Sequence, residues 1–209
     1  MRLDDALMQI ADIRLHMGRS AVFRGYRSAT VALSGILGLA AAAAQPLLVP
    51  SPADDLTRYL VFWVSVASAS VMAAGLQMWW RTQRFELVPV RQLALLAIEQ
   101  FLPSIVVGAL LTLCIWLTAP HVAWMLPGLW ALVFSMGIFA SHRLLPRPVF
   151  WVGAWYVGCG CGALLWGRGE HVLSPWLMGI SFGGGQLLAA SVLYCTLERD
   201  NGQSPNEGE

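Results

Sequence analysis

Six stretches of this chain are too long and too apolar to rest in water, and they constrain its fold more than any other feature. They lie near 28–49, 57–79, 97–118, 122–141, 149–167 and 173–196, each close to the roughly 20 residues that a tilted α-helix needs to cross about 30 Å of hydrocarbon. Composition agrees. Of 209 residues, 57% are hydrophobic and 12% charged, against roughly 25% charged in a soluble domain. The expected fold is all-α, a polytopic transmembrane bundle of six spans in a lipid bilayer.

All thirteen basic residues are arginine, a usage that points to GC-rich coding and a bacterial source. Their distribution sets the expected orientation. Arg58 and Arg168 fall on one side of the six spans, whereas Arg2, Arg14, Arg19, Arg24, Arg27, Arg81, Arg84, Arg91, Arg143, Arg147 and Arg199 fall on the other. Arginine-rich loops stay in the cytoplasm, so both termini are expected there and the membrane is expected to be the bacterial cytoplasmic (inner) one.

Residues 1–26 read as a cytoplasmic amphipathic helix, 27–198 as the membrane domain and 199–209 as a disordered polar tail. In "MRLDDALMQIADIRLHMGRS", Leu3, Ala6, Leu7, Ile10, Ile13 and Met17 share one face, and Asp5, Gln9, Asp12, His16 and Arg19 share the other. Acids come early and arginines late, as the helix dipole favours. A helix built only to lie on anionic lipid carries a basic polar face; this one is mixed, which fits docking on protein. The charged segment before span one is long for the n-region of a secretory signal, so the small residues of "GLAAAAAQP" are expected to stay uncleaved.

Between spans two and three, Trp79 and Trp80 with Arg81 and Arg84 mark the inner interface. Pro89 is expected to break the chain, and residues 90–97 to form an interfacial helix. The outer loops near 50–56, 119–121 and 168–172 leave no room for an extracellular domain.

The stretch "WYVGCGCGALLWGRGEH" looks at first like a redox or metal motif. In a helix, residues two apart diverge by about 200°, so Cys159 and Cys161 cannot grip one metal or pair with each other. Ala154, Gly158 and Gly162 instead form a small-xxx-small spacing that lets membrane helices approach closely, and Gly179 and Gly183 repeat it in span six. The cysteines read as small packing residues; pairing of Cys114 with either stays open, and Cys195 has a juxtamembrane position open to acylation.

Glu99 is the acid nearest the interior of a span, and Pro103 four residues on would free its carbonyl. The plainer reading puts Glu99 at headgroup level, with span three starting at Phe101. Gln77 and Gln186 read first as interhelical hydrogen-bonding groups. Glu99, Gln77 and Gln186 together would make a polar pathway, the alternative reading of a small transporter or channel. Asp54, Asp55, His121, Glu170 and His171 are metal-binding types but lack paired spacing, so no metal is expected. His121, His142 and His171 sit at span edges, which disfavours haem, and no cofactor is expected. No serine elbow, H-E-x-x-H, phosphate loop or DNA-reading motif is present. The chain reads as non-enzymatic, with no nucleic-acid partner.

With "IADIRLHMGRSAVFRGYR" running into "SATVALSGILGLAAAAAQ", the first 45 or so residues resemble a group of uncharacterised bacterial multi-span membrane proteins. There an I-x-x-I-R helix leads into a Gly/Ala-rich span, often encoded beside a winged-helix regulator. The resemblance implies a regulatory or stress-linked context and carries over no catalytic residues. The function expected is therefore that of an accessory, scaffold or regulatory membrane subunit with a protein partner.

Overall fold

The computed structural model describes residues 28–84, 88–141 and 147–198, and every regular element in them is helical. The expected amphipathic helix over 1–26 and the polar tail over 199–209 lie outside the described residues. Helix α1 is Ser28–Leu48, α2 is Leu56–Arg84 and α3 is Val88–Thr118. A 3₁₀ turn, Pro120–Met125, leads into α4, Leu126–Ser141, and α5 is Val149–Trp166. The last helix, α6, is built in pieces: α-helical Pro175–Met178, π-helical Gly179–Gly184, α-helical Gly185–Leu193 and π-helical Tyr194–Glu198. Six helices are long and apolar enough to cross a membrane: Ser28–Leu48, Leu56–Gln77, Glu99–Thr118, Pro120–Ser141, Val149–Trp166 and Pro175–Thr196. This is the architecture of a multi-pass membrane protein.

Pro89 falls where a new helix starts: α2 ends at Arg84, α3 begins at Val88, and residues 85–87 lie outside the described residues. The proline lies in the first turn of α3, where a missing N–H would have had no intrahelical acceptor, and the helix runs unbroken into the third span. Pro103 is likewise absorbed inside α3.

The helices pack as an up-and-down ring in which α3 lies on α4, α4 on α5, α5 on α6, and α6 closes onto α1. The α4–α5 and α6–α1 contacts are the most extensive, whereas α2 rests on α1 and barely touches α3. With six alternating helices, Ser28 and the end of α6 share one end of the bundle, called here the terminal end. The loops after α1, α3 and α5 share the far end.

The core follows that order. At the far end, Ala42, Val49, Tyr59, Trp63, Leu126, Leu173 and Met178 form one buried cluster drawn from both halves of the chain. Deeper toward the terminal end, Ala131, Ile138, Val149, Val152 and Tyr156 form a second, with Phe101, Phe134 and Phe182 against it. Beyond Trp63, the described side chains of α2 contribute a half-buried stripe, Val66, Ser70, Ala74 and Gln77, and expose Val64, Val71, Met72 and Leu76. Apolar exposure of this kind is stable against lipid tails, which are as apolar as the side chains themselves. For the same reason, lipid supplies no hydrophobic drive for helix association, so close packing and internal hydrogen bonds must hold the bundle together.

Candidate functional site

The residues expected to line a polar pathway lie on three different helices. Gln77 is half-buried near the end of the apolar stretch of α2, Glu99 is exposed on α3, and Gln186 is half-buried on α6. Neither α2 nor α3 packs extensively on α6.

The small-residue faces divide. Gly179 and Gly183 lie where α6 meets α1: a methyl group on Gly179 would stand 2.6 Å from Ala42 Cβ, and one on Gly183 2.8 Å from Leu39 Cγ. Gly35 answers from α1, since its own added Cβ would stand 2.9 Å from the Gly183 carbonyl. The Ala154, Gly158 and Gly162 face does not meet a neighbouring helix in this way. Gly158 is exposed with open space around it, and Gly162 faces only Trp166 of its own helix. The close approach of α5 to α4 runs instead through Gly160 and Gly128, each within 3.0 Å of the other's carbonyl once a Cβ is added, and through Gly153 against Phe139. A two-residue step turns a helix by about 200°, so Gly158 and Gly160, within one glycine-rich run, face nearly opposite ways. The sequence marks the run but not which of its faces meets α4.

Cys114 and Cys161 are exposed, Cys159 is half-buried, and all three thiols are free, as is Cys195. At the far end, Asp54, Asp55, His121 and His171 are exposed loop or turn residues. Among the described residues no group of three or more His, Cys, Asp or Glu comes close enough to hold a metal ion. Arg168 stacks over Trp124 with its guanidinium carbon 4.5 Å from the ring centre, a cation–π contact that ties the α5–α6 loop to the 3₁₀ turn.

The most organised polar arrangement centres on Gln45, which the sequence reading passed over. Gln45 is 1% exposed, in the last turn of α1. Its Nε2 donates to the Leu173 carbonyl at 2.9 Å, and its Oε1 accepts from the Trp63 indole N–H at 2.9 Å. One amide thus joins α1, α2 and the loop before α6. Leu173 holds φ +53°, a left-handed conformation that costs a non-glycine residue roughly 1–2 kcal/mol. Burial of its side chain and the bond from Gln45 hold it there. The visible signal was an amide inside an otherwise apolar span, directly before Pro46.

A second polar point lies at the junction of α5 and α6. The Tyr156 hydroxyl is buried and finds no hydrogen-bond partner among the described residues, with the Gln186 side chain approaching it. The ring presses on the backbone just past the π-helical stretch: a Cβ on Gly185 would meet Tyr156 Cζ at 2.5 Å. Around it, Phe134 lies 4.7 Å from the Tyr156 ring and Phe182 5.5 Å, centre to centre. Phe101 adds an edge-on contact to Phe134 at 4.9 Å. π-Helical turns cost stability and often mark functional positions; here the turn carries Gly183 onto α1 while Gly184 and Gly185 face Trp155 and Tyr156.

At the terminal end an open groove of about 550 Å³ separates the start of α1 from the end of α6. Ser28, Ala29 and Ala32 form one wall, and Leu187, Ala190, Ser191, Tyr194 and Cys195 the other. The Ser191 hydroxyl is bonded back to the Leu187 carbonyl at 2.9 Å, which leaves the groove apolar in character.

These groups pack and hydrogen-bond; they do not bring a nucleophile, a base and an orienting residue together. Set against protein-family models, curated proteins and solved structures, the chain matches none of them.

Proposed function

We propose that this protein is a non-enzymatic accessory, scaffold or regulatory subunit of a bacterial cytoplasmic membrane. In this reading both termini are cytoplasmic and the helix over residues 1–20 is offered to a protein partner. The observation that carries the reading is how the bundle uses the most deeply buried amide among the described residues: Gln45 spends donor and acceptor on Leu173 and Trp63, within the chain. Further support is the reciprocal glycine contact that closes α6 onto α1. A bundle locked in this way suits a rigid platform. Its chemistry toward other molecules then falls to what projects from it, and the sequence before Ser28 reads as a helix with two distinct faces.

Purification in mild detergent from native membranes, at natural abundance and with mass spectrometry of co-purifying proteins, tests this. A stoichiometric companion that disappears when residues 1–20 are deleted is the expected result. A solitary protein would reject the reading.

The alternative, a small transporter or channel, draws on the buried Tyr156 hydroxyl and the Gln186 side chain that approaches it. It requires Glu99→Gln or Gln186→Leu to abolish solute flux in proteoliposomes while the protein still folds.

A further inference from the structure

We infer that the groove between α1 and α6 is a docking site for this chain's own N-terminal segment, which seats the apolar face of residues 1–20 there. The inference shares with the proposed function the amphipathic reading of residues 1–20, but it does not need a partner. Ser28, the first described residue of α1, is itself part of the groove wall, so the preceding segment emerges directly beside the opening. Residues 21–27, extended at up to about 3.5 Å each, reach roughly 25 Å. The opposite wall, from Leu187 to Cys195, rises only about 12 Å at 1.5 Å per residue, within that reach.

Two segments leave the bundle at this end, and only one suits an apolar groove. The tail over 199–209 carries no large apolar side chain, whereas Ile10, Ile13 and Met17 lie one or two turns apart on a single face. Tyr194, 53% exposed at the groove wall, leaves apolar area that such a face would cover. With the apolar face seated, the mixed face of Asp5, Gln9, Asp12, His16 and Arg19 points away from the bundle, where a soluble partner could meet it.

Cys195 lines the groove and serves as the reporter. In a variant with Cys114, Cys159 and Cys161 replaced by alanine, Ile13→Cys or Met17→Cys is oxidised in native membranes with copper phenanthroline, and Asp12→Cys provides the polar-face comparison. The expected result is a disulfide to Cys195 within one chain, formed severalfold more from the apolar-face positions than from Asp12→Cys. Absence of that link from both apolar-face positions overturns the inference, as does a link that runs only between two chains. Alkylation of Cys195 by a maleimide in the variant lacking Cys114, Cys159 and Cys161 gives a second measure. Deleting residues 1–20 should raise its rate severalfold, and an unchanged rate, as expected if only a lipid chain fills the groove, overturns the docking. Missing cross-links alongside a companion that still requires residues 1–20 would reject the docking and leave the partner reading standing.

Discussion

At Gln45 one side chain closes a circuit through three parts of the far end, and its replacement leaves two buried groups without partners. Gln45→Leu strips the Trp63 indole N–H and the Leu173 carbonyl of their bonds at once. A buried polar group left unpaired costs about 1–3 kcal/mol in general. Hydrogen bonds inside membrane proteins average nearer 0.6 kcal/mol, because the unfolded chain in lipid finds partners too. The Leu173 conformation adds to the demand, so Gln45→Leu is expected to destabilise by roughly 1–3 kcal/mol, read as a clear fall in melting temperature in detergent. Trp63→Phe removes one bond and keeps an aromatic ring, and should fall between that variant and wild type in the same melt. Gln45 was legible as an amide in an apolar run, but a hydrogen-bond partner 128 residues away in sequence is a property of the assembled ring.

The helices show where pattern was informative and where it was not. Length and apolarity located all six spans to within a few residues, because hydrocarbon thickness imposes a length on any helix that crosses it. They could not reveal the 3₁₀ turn at Pro120–Met125 or the two π-helical stretches of α6, which depend on how the backbone settles against its neighbours. They also could not choose among the faces of "GCGCG", since each glycine satisfies the small-residue rule equally. Substitution separates the faces. Gly160→Val should destabilise by about 1–3 kcal/mol, as overpacking does when the obstacle is backbone, because its Cβ would stand 3.0 Å from the Gly128 carbonyl and closer still to Leu132. Gly158→Val meets open space and should leave the melting temperature near that of wild type. Equal losses from the two variants would contradict the packing described for α4 and α5.

Across the whole molecule, the ring α1 to α6 puts both ends of the described chain on one side, which the proposed function takes to be the cytoplasmic one because the arginines cluster there in the sequence. Reporter fusions after residue 209 are expected to show cytoplasmic activity for an enzyme that works only there, and a periplasmic signal would reverse the assignment. Gln77, Glu99 and Gln186 stand on three different helices, two of which pack little on the third, and Glu99 is exposed, which leads to a further expectation: Glu99→Gln should leave solute flux in proteoliposomes unchanged. A pathway was plausible in sequence because an acid and two amides recur in apolar runs; which helices touch decides whether they meet. The central claim, that the bundle is a platform and the mixed face of residues 1–20 does the recognising, is tested most directly by quantitative co-purification from native membranes. The doubly charge-reversed variant Asp5→Arg, Asp12→Arg is compared there with Glu99→Gln. The account predicts that the first loses its companion while the second retains it in full; a companion kept by the charge-reversed helix and lost with Glu99→Gln would contradict it.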